Sequence, residues 1–312
     1  MNPARPTALP DTLVTLRDWL RYGVSRFNAS GLAYGHGTSN AVDEAAFLIL
    51  RTLHLPIDEL ELWLDCRLTS PEREAVFAIL EKRISTRKPA SYLLNEAWIK
   101  GNKFYVDERV IVPRSYIGEL LVGGLQGIEA HPNTVARVLD LCTGSGCLAI
   151  LAALAFPHAA IDAADISHEA LAVAKHNVAD YGLGHRIRLI QSDLFSGLRD
   201  ERYDLILSNP PYVAAAEVAA FPPEYRAEPI MAHAGGKDGL DFVRRILAGA
   251  EPHLMPLGTL VVEIGTGRDI LESEFSNIPF LWLDTEESQG EVFALPHSAF
   301  THGARKAQPA KK

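Results

Sequence analysis

Residues 203–212 read YDLILSNPPY. The first six, residues 203–208, have the length and the branched apolar side chains of a buried β-strand. Two prolines follow, and because proline has no backbone N–H the strand cannot pair beyond them. Asn209 is therefore expected at the carboxyl end of a strand, where open α/β sheets bind their ligands. The stretch predicts an α/β sheet with a ligand site at this edge.

The residues after this strand offer hydrogen-bond acceptors beside a flat ring. The Asn209 side chain has one acceptor and two donors, and the carbonyl groups of Asn209 and Pro210 also accept. Pro211 stiffens the turn, and Tyr212 can wall it with its ring. This set suits a planar NH2 group that is held while its nitrogen reacts. The alternative is an ordinary strand-to-loop turn, which a second motif upstream disfavours.

The composition is that of an ordinary globular chain. The 312 residues are 47% hydrophobic and 22% charged, and this length suggests two domains or one large one. No apolar stretch reaches the ~20 residues that span a bilayer, and residues 1–6 lack a signal-peptide apolar region. Cys66, Cys142 and Cys147 show neither metal spacing nor a disulfide framework. We therefore expect a cytoplasmic protein without a metal site or a membrane segment.

The net charge of the chain indicates what class of macromolecule it binds. The formal net charge is −9 and the sequence pI is about 5.7. Nucleic-acid binders usually show a basic stripe, and none is visible in this sequence. An acidic body attracts basic proteins by long-range steering. We expect a basic protein partner and no direct nucleic-acid binding.

The chain divides by its apolar periodicity. Helical spacing dominates residues 1–89, which we predict to be a small helical domain that recognises the substrate. Residues 90–115 read as a linker β-hairpin, and residues 116–300 alternate strands with helices as a larger α/β domain. The final residues, 301–312, are predicted to be a disordered tail.

Polar side chains follow four strands of the predicted sheet. The first strand leads into residues 140–146, DLCTGSG, where glycines let a helix amino terminus approach a ligand closely. Asp165 ends the second strand, where a carboxylate can accept both hydroxyls of a ribose. Asp193 closes the third strand, where it can accept from an adenine amino group. Asn209 follows the fourth strand.

The acidic rim bears on the cofactor. A dinucleotide would need helix-terminus donors for its pyrophosphate. S-adenosylmethionine has no phosphate and carries a cationic sulfonium, so acidic strand ends suit it better. We predict S-adenosylmethionine as the cofactor, with a nicotinamide oxidoreductase as the disfavoured alternative.

Residues 140–146 and 209–212 together resemble the class I S-adenosylmethionine-dependent methyltransferases that act on planar amino groups. The resemblance implies a Rossmann-like fold with a mixed seven-stranded sheet. Four upstream segments closely resemble the protein-glutamine methyltransferases, in the branch that modifies large-subunit ribosomal protein three. These segments are SYL at 91–93, AW at 97–98, FYVDERV at 104–110 and VPRS at 112–115. The release-factor branch usually reads IPRPETE at the junction, whereas residues 112–119 read VPRSYIGE.

The resemblance also implies site residues. The cofactor would contact Asp140, the turn residues Cys142, Thr143, Gly144, Ser145 and Gly146, then Asp165 at the ribose, Asp193 and Leu194 at the adenine, and Asn209. Asn209, Pro210 and Tyr212 would be catalytic. The glutamine amide would be gripped by Asn209, Pro210, Pro211 and Tyr212, with Arg114 at the junction facing the site. Cys142 stands where many relatives have glycine.

Three other functions compete with this one. The first is methylation of a glutamine in a peptide-chain release factor, which the junction sequence disfavours. The second is methylation of a nucleic-acid amino group, which would need a basic surface or a base-flipping domain. The third is a cofactor-binding scaffold without catalysis, which the intact residues 209–212 disfavour.

Overall fold

The structure is a computed structural model that describes residues 10–125, 128, 134–198, 200–286 and 288–303. Most of the predicted tail lies outside these residues. The described chain forms two compact units, which are taken in turn. No helix in the described part is long and apolar enough to cross a membrane.

The first unit is helical and comprises Met1–Ala97, Val106–Glu108 and Phe221–Glu228. Its helices are α1 (Leu16–Ala29), α2 (Ala41–Thr52), α3 (Leu60–Trp63), α4 (Ser70–Thr86) and α5 (Ala90–Leu94). Apolar residues at helical spacing meet in one core, in which Trp19 and Phe27 are fully buried. The long helices predicted from the periodicity of this region are therefore present.

The start of α4 differs by one residue from the sequence-based expectation. The sequence Ser70-Pro71-Glu72 suggests a cap at Ser70. In the structure Thr69 is the cap, and its side chain and that of Glu72 each bond the other residue's backbone in a capping box. Ser70 is then the first helical residue, and the proline lies in the first turn where its missing N–H costs nothing.

One short segment, Phe221–Glu228, belongs to the helical unit although it lies far along the chain. It contains a 3-10 helix, Pro223–Ala227. The carboxylate of Glu224 is fully buried, accepts a hydrogen bond from the Ala33 N–H at 3.1 Å and pairs with Arg87 at 2.7 Å. A buried charge needs such partners, so Glu224 holds this segment in the helical unit.

The remaining strands and helices come mostly from the second unit. The first pair, β1 (Ala97–Ile99) and β2 (Asn102–Phe104), forms the two-stranded sheet predicted in the linker. The other strands are β3 (Arg137–Leu141), β4 (Ala160–Asp165), β5 (Ile187–Gln191), β6 (Tyr203–Ser208), β7 (Leu254–Glu263), β8 (Leu281–Leu283) and β9 (Val292–Pro296). The helices are α6 (Tyr116–Val122), α7 (Cys147–Ala155), α8 (His168–Asp180), α9 (Ala215–Ala219), α10 (Asp241–Gly249), α11 (Arg268–Glu274) and α12 (His297–Gly303).

The seven strands from β3 to β9 form one mixed sheet in the order β5-β4-β3-β6-β7-β9-β8. The strands from β3 to β7 pair in parallel, and β9 runs antiparallel to both β7 and β8. This confirms the predicted Rossmann-like α/β fold with a mixed seven-stranded sheet. The carboxyl ends of the five parallel strands therefore meet at one edge.

Both faces of the sheet are covered, which explains the uninterrupted apolar run in β6. Leu205 and Leu207 face one hydrophobic core, and Ile206 faces the other. All three side chains are completely buried. A parallel strand covered on both faces needs apolar residues at every position. The sequence pattern of residues 203–208 therefore matches its place at the centre of the sheet.

Candidate functional site

The strand register brings the candidate residues to one edge. Leu141 at the end of β3 pairs with Ala164 of β4 and with Ser208 of β6. Ser208 in turn pairs with Val262 of β7. The glycine turn, Asp165, Asn209 and Glu263 each lie at or just past these paired positions, so they share the carboxyl edge of the sheet.

Asp140 is fully buried beneath the glycine turn. Its Oδ2 accepts hydrogen bonds from the Thr143 hydroxyl at 2.5 Å and from the Ala149 N–H, at the start of α7, at 3.0 Å. Its Oδ1 is buried and has no hydrogen-bond partner among the described residues. Burial raises the pKa of Asp140 to about 7. A buried carboxylate oxygen without a partner suits a cationic group at this place.

Asp165 closes the same turn from the end of β4. Its carboxylate accepts from the Gly144 N–H and from the Ser167 N–H, each at 2.9 Å. Burial raises its pKa. Gly144 has φ +55°, and a Cβ on it would meet only open space. The turn therefore has an open side on which a ligand can approach the backbone.

The two residues predicted to border adenine, Asp193 and Leu194, follow β5. The Asp193 carboxylate pairs with Arg245 at 2.8 Å. Leu194 is only 7% exposed and packs in the hydrophobic core, so little of its surface faces outward. Ile166 is half exposed directly after Asp165 and offers an apolar face at the sheet edge. Sequence reasoning missed Ile166, although its position after a strand-end acid is a usable signal.

Cys142 adopts a left-handed backbone conformation with φ +59°. This conformation costs a residue with a Cβ roughly 1–2 kcal/mol, and a glycine would adopt it with less strain. Burial raises the pKa of the Cys142 thiol well above its usual range. A thiol that stays protonated is a poor nucleophile, so Cys142 acts here as a small, partly buried side chain.

Asn209 is held by the linker that precedes α6. Its Nδ2 donates a hydrogen bond to the Arg114 carbonyl oxygen at 3.1 Å. One end of the amide group is thereby oriented, and Oδ1, at the other end, is left as an acceptor. The predicted proximity of Arg114 to the site is therefore present through its backbone.

Tyr212 is anchored at its hydroxyl. That hydroxyl donates to Oε1 of Glu263 at 3.1 Å. Burial raises the pKa of Tyr212, and the adjacent carboxylate raises it further, so the hydroxyl stays protonated and donates. Glu263 is only 1% exposed, and burial raises its pKa to about 7. Residues 262–265, VEIG, also resemble the family, but the sequence assigns Glu263 no role beyond the structure of a strand end.

Three glycines enclose the turn at residues 211 and 212. A Cβ on Gly265 would lie 2.9 Å from the Tyr212 ring, and one on Gly235 would lie 2.7 Å from the Pro211 carbonyl oxygen. A Cβ on Gly239 would collide with the Tyr212 carbonyl oxygen. The loop between β6 and α10 therefore needs glycine because its backbone packs directly on this turn.

Replacing Gly239 by alanine is expected to displace Tyr212. Gly239 has φ +85°, so the new Cβ is strained as well as crowded. We expect the variant to be about 1–3 kcal/mol less stable and to lose turnover. Gly184→Ala is the matched control, because a Cβ there meets open space at ordinary φ. Thermal unfolding and turnover of the two variants check this, and equal behaviour would contradict the packing argument.

The pKa of Asp140 predicts a dependence of stability on pH. The folded-state pKa is about 7 and the unfolded value is 3.8. Between these values the folded protein binds more protons, so its stability falls as pH rises through this window. Asp140→Asn does not titrate and should lose less stability over the same rise. Thr143→Ala keeps the carboxylate and should keep the pH dependence of stability. Urea unfolding midpoints measured between about pH 4 and pH 7 test both variants. Parallel curves of midpoint against pH for Asp140→Asn and the parent would refute the raised pKa of Asp140.

The described residues contain no cluster of three or more histidine, cysteine, aspartate or glutamate side chains with metal-binding geometry. The site thus consists of carboxylates, backbone amides and one asparagine at a sheet edge.

This fold and site define a class I methyltransferase. The family model for the methyltransferase small domain matches residues 119–221. Among solved structures, the hMettl16 catalytic domain in complex with MAT2A 3'UTR hairpin 1 superimposes with a TM-score of 0.51. The match covers 81% of this chain and 90% of that chain at 16% identity, so it supports the fold alone.

Curated relatives narrow the class. The ribosomal protein uL3 glutamine methyltransferase of Bradyrhizobium diazoefficiens is 55% identical over 287 residues, which cover 90% of both chains. That of Burkholderia pseudomallei is 53% identical over 93% of this chain and 96% of its own. The chain belongs to the family of ribosomal protein uL3 glutamine methyltransferases. The resemblance to that branch of the protein-glutamine methyltransferases is confirmed.

Proposed function

We propose that this chain methylates the side-chain amide nitrogen of a glutamine in ribosomal protein uL3, with S-adenosylmethionine as methyl donor. Membership of the family supports the substrate. The single structural observation that carries the chemistry is the hydrogen bond from Asn209 Nδ2 to the Arg114 carbonyl. Because one N–H of the Asn209 amide bonds the Arg114 carbonyl, the amide group is oriented and its oxygen is presented to a substrate.

The residues of the glycine turn fit the proposed cofactor. S-adenosylmethionine, when bound, supplies a methyl group activated by its sulfonium charge. The unpartnered Oδ1 of Asp140 places negative charge beneath the turn for a cationic group, and Gly144 leaves the turn open. Asp165 retains acceptor capacity for ribose hydroxyls beyond its two backbone bonds. Asp193 accepts from the adenine amino group in this proposal, sharing its carboxylate with Arg245.

Asn209 and Pro210 act on the substrate amide. A glutamine nitrogen is a poor nucleophile because its lone pair is delocalised into its carbonyl group. We assign the Asn209 Oδ1 and the Pro210 carbonyl oxygen as acceptors for its two N–H bonds, with Pro211 and Tyr212 completing the grip. The nitrogen is then oriented, and positive charge that develops on it is stabilised by aimed dipoles. No strong base is needed.

The proposed substrate also bears on the partner that the protein binds and on its location in the cell. The net charge of −9 favours approach of a basic ribosomal protein. Assignment to the cytoplasm rests on the proposed ribosomal-protein substrate. Recognition of the substrate by the helical unit and the absence of direct nucleic-acid binding stay predictions.

Methyl transfer to defined substrates tests the proposal. The enzyme and labelled S-adenosylmethionine are incubated with one substrate in each of three reactions. The substrates are purified uL3, a peptide-chain release factor and ribosomal RNA. Mass spectrometry then locates the label, and Asn209→Ala serves as the inactive control. We expect label on a glutamine amide of uL3 alone.

The other two substrates decide between the remaining functions. Label on the release factor would keep the amide chemistry and overturn the substrate. Label on RNA alone would show that the Asn209 site holds a base, and the glutamine proposal would be wrong.

A further inference from the structure

Glu263 ends β7 as a buried carboxylate whose hydrogen-bond donors are all neutral. Its Oε2 accepts from the Ser115 hydroxyl at 2.7 Å and from the Tyr116 N–H at 2.9 Å, and Oε1 accepts from the Tyr212 hydroxyl at 3.1 Å. Within the described part of the chain Glu263 makes no ion pair. Burying a carboxylate without a cation is unfavourable, so a glutamate at this place calls for a role beyond packing.

The two oxygens of this carboxylate face different parts of the chain. Oε2 bonds the amino terminus of α6, where Ser115 is the helix cap. Oε1 bonds the last residue of the turn that follows β6. Glu263 therefore joins two segments that are far apart in sequence, and each oxygen makes one of the two links.

The same junction also holds the other end of the catalytic turn. Arg114, the neighbour of Ser115, accepts the hydrogen bond from Asn209 through its carbonyl oxygen. Residues 209–212 are thus tied to residues 114–116 twice, at Asn209 directly and at Tyr212 through Glu263. These two ties hold the turn at both of its ends, in addition to the glycine backbone that packs on it.

The end of β7 also supports the ring of Tyr212. Gly265 lies so close to the ring that a Cβ there would be 2.9 Å from it. Gly265 has φ +56°, which allows the chain to turn immediately after Glu263. The hydroxyl and the ring face of Tyr212 are therefore both positioned by the same three-residue stretch.

We propose that Glu263 is a positioning residue for methyl transfer, whose carboxylate fixes Tyr212 to the start of α6 and thereby holds the acceptors of residues 209–210 in their reactive orientation. This inference rests on the proposed function for the identity of the reaction. Glu263 touches neither substrate nor cofactor in it. Its effect reaches the reaction through Tyr212 and through the junction that also binds Asn209.

The first test compares Glu263→Gln with Glu263→Ala. Glutamine keeps the shape and one acceptor oxygen, but its NH2 group can only donate. The link to the Tyr212 hydroxyl must therefore reverse its direction or be lost, whereas alanine removes both links. We expect kcat to fall about 10- to 100-fold in Glu263→Gln, since small misplacements of reacting groups have effects of this size. Glu263→Ala should fall further, with KM for the protein substrate and affinity for S-adenosylmethionine unchanged in both. A merely structural role predicts loss of folded protein with normal kcat in the folded fraction, and that result would overturn the proposal.

Two further variants keep the test decisive if Glu263 variants do not fold. Tyr212→Phe removes the link at Oε1, and Ser115→Ala removes one link at Oε2. Each should lower kcat. Because Tyr212 and Glu263 act as one unit, Tyr212→Phe combined with Glu263→Gln should be no worse than the poorer single variant. Additive losses would show that Glu263 does not work through Tyr212.

A matched control lies at the opposite end of β6. The Asp204 carboxylate is likewise hydrogen-bonded by neutral donors, here two backbone N–H groups, those of Ala136 at 2.8 Å and Arg137 at 2.9 Å. Asp204→Asn should lower stability without changing kcat, and an equal loss of kcat would remove the specificity of the Glu263 effect. The kcat of each variant is compared with that of the parent on whichever substrate the parent enzyme methylates. If that substrate is not uL3, the proposed function is refuted, but the kcat of the Glu263 variants relative to the parent still decides this inference.

Discussion

Replacing Asn209 by alanine is expected to lower turnover about 10²- to 10³-fold, the range observed when one aimed hydrogen-bonding group is removed from a reacting centre. The variant loses both the Oδ1 acceptor and the anchor to the Arg114 carbonyl. The cofactor contacts assigned to the glycine turn and to Asp165 are untouched. Affinity for S-adenosylmethionine, measured by calorimetric titration, should therefore stay unchanged. Turnover, measured as methyl transfer to the protein substrate, should fall.

The neighbouring residue offers a control for Asn209. The Ser208 hydroxyl donates to the Leu141 carbonyl oxygen at 3.0 Å inside the sheet. Ser208→Ala should cost about 1 kcal/mol of stability and leave turnover of the folded enzyme unchanged. An Asn209→Ala enzyme with near-normal turnover would refute the assignment of residues 209–212 as the amide site.

Replacing Asp165 by alanine should have the opposite profile. If its carboxylate accepts two ribose hydroxyls, loss of these charge-assisted bonds should raise the dissociation constant for S-adenosylmethionine at least 10- to 100-fold, at roughly 1.5–3 kcal/mol per bond. The variant also loses the bond that Asp165 accepts from the Gly144 N–H, which loosens the turn itself.

Saturating cofactor separates the two residues. At concentrations of S-adenosylmethionine well above the raised dissociation constant, Asp165→Ala should regain much of its turnover, whereas Asn209→Ala should not. Cofactor affinity that is unchanged in Asp165→Ala would count against its ribose role.

The periodic elements were accessible from sequence because their signals are local. Residues 203–208 form β6 with the predicted bounds, since a doubly covered strand needs apolar residues throughout. The end of α6 was harder to predict from sequence. A cap at Ser115 predicts a helix from residue 116 to about residue 127, but α6 ends at Val122. Gly123 and Gly124 follow it, and Gly124 takes a positive φ of 79° that ends a helix.

The location of the candidate site could be predicted from sequence because it follows from the parallel arrangement of the strands. Parallel strands end at one edge, so acids that follow successive strands must gather there. The burial of each side chain could not be predicted from sequence, because it depends on what packs above that side chain. Leu194 is in the core while Ile166 is half exposed, although both follow strand-end acids.

The sequence by itself determined the alternation of strands and helices, the acids and the glycine turn at the strand ends, and the family to which the chain belongs. These follow from short-range patterns, each read within a few residues. Only the tertiary structure decided that Glu263 joins Tyr212 to Ser115, that Gly239 packs on Tyr212, and that Glu224 anchors its segment in the helical unit. Those contacts join residues that are distant in the chain, and no local pattern encodes which of them fold against each other.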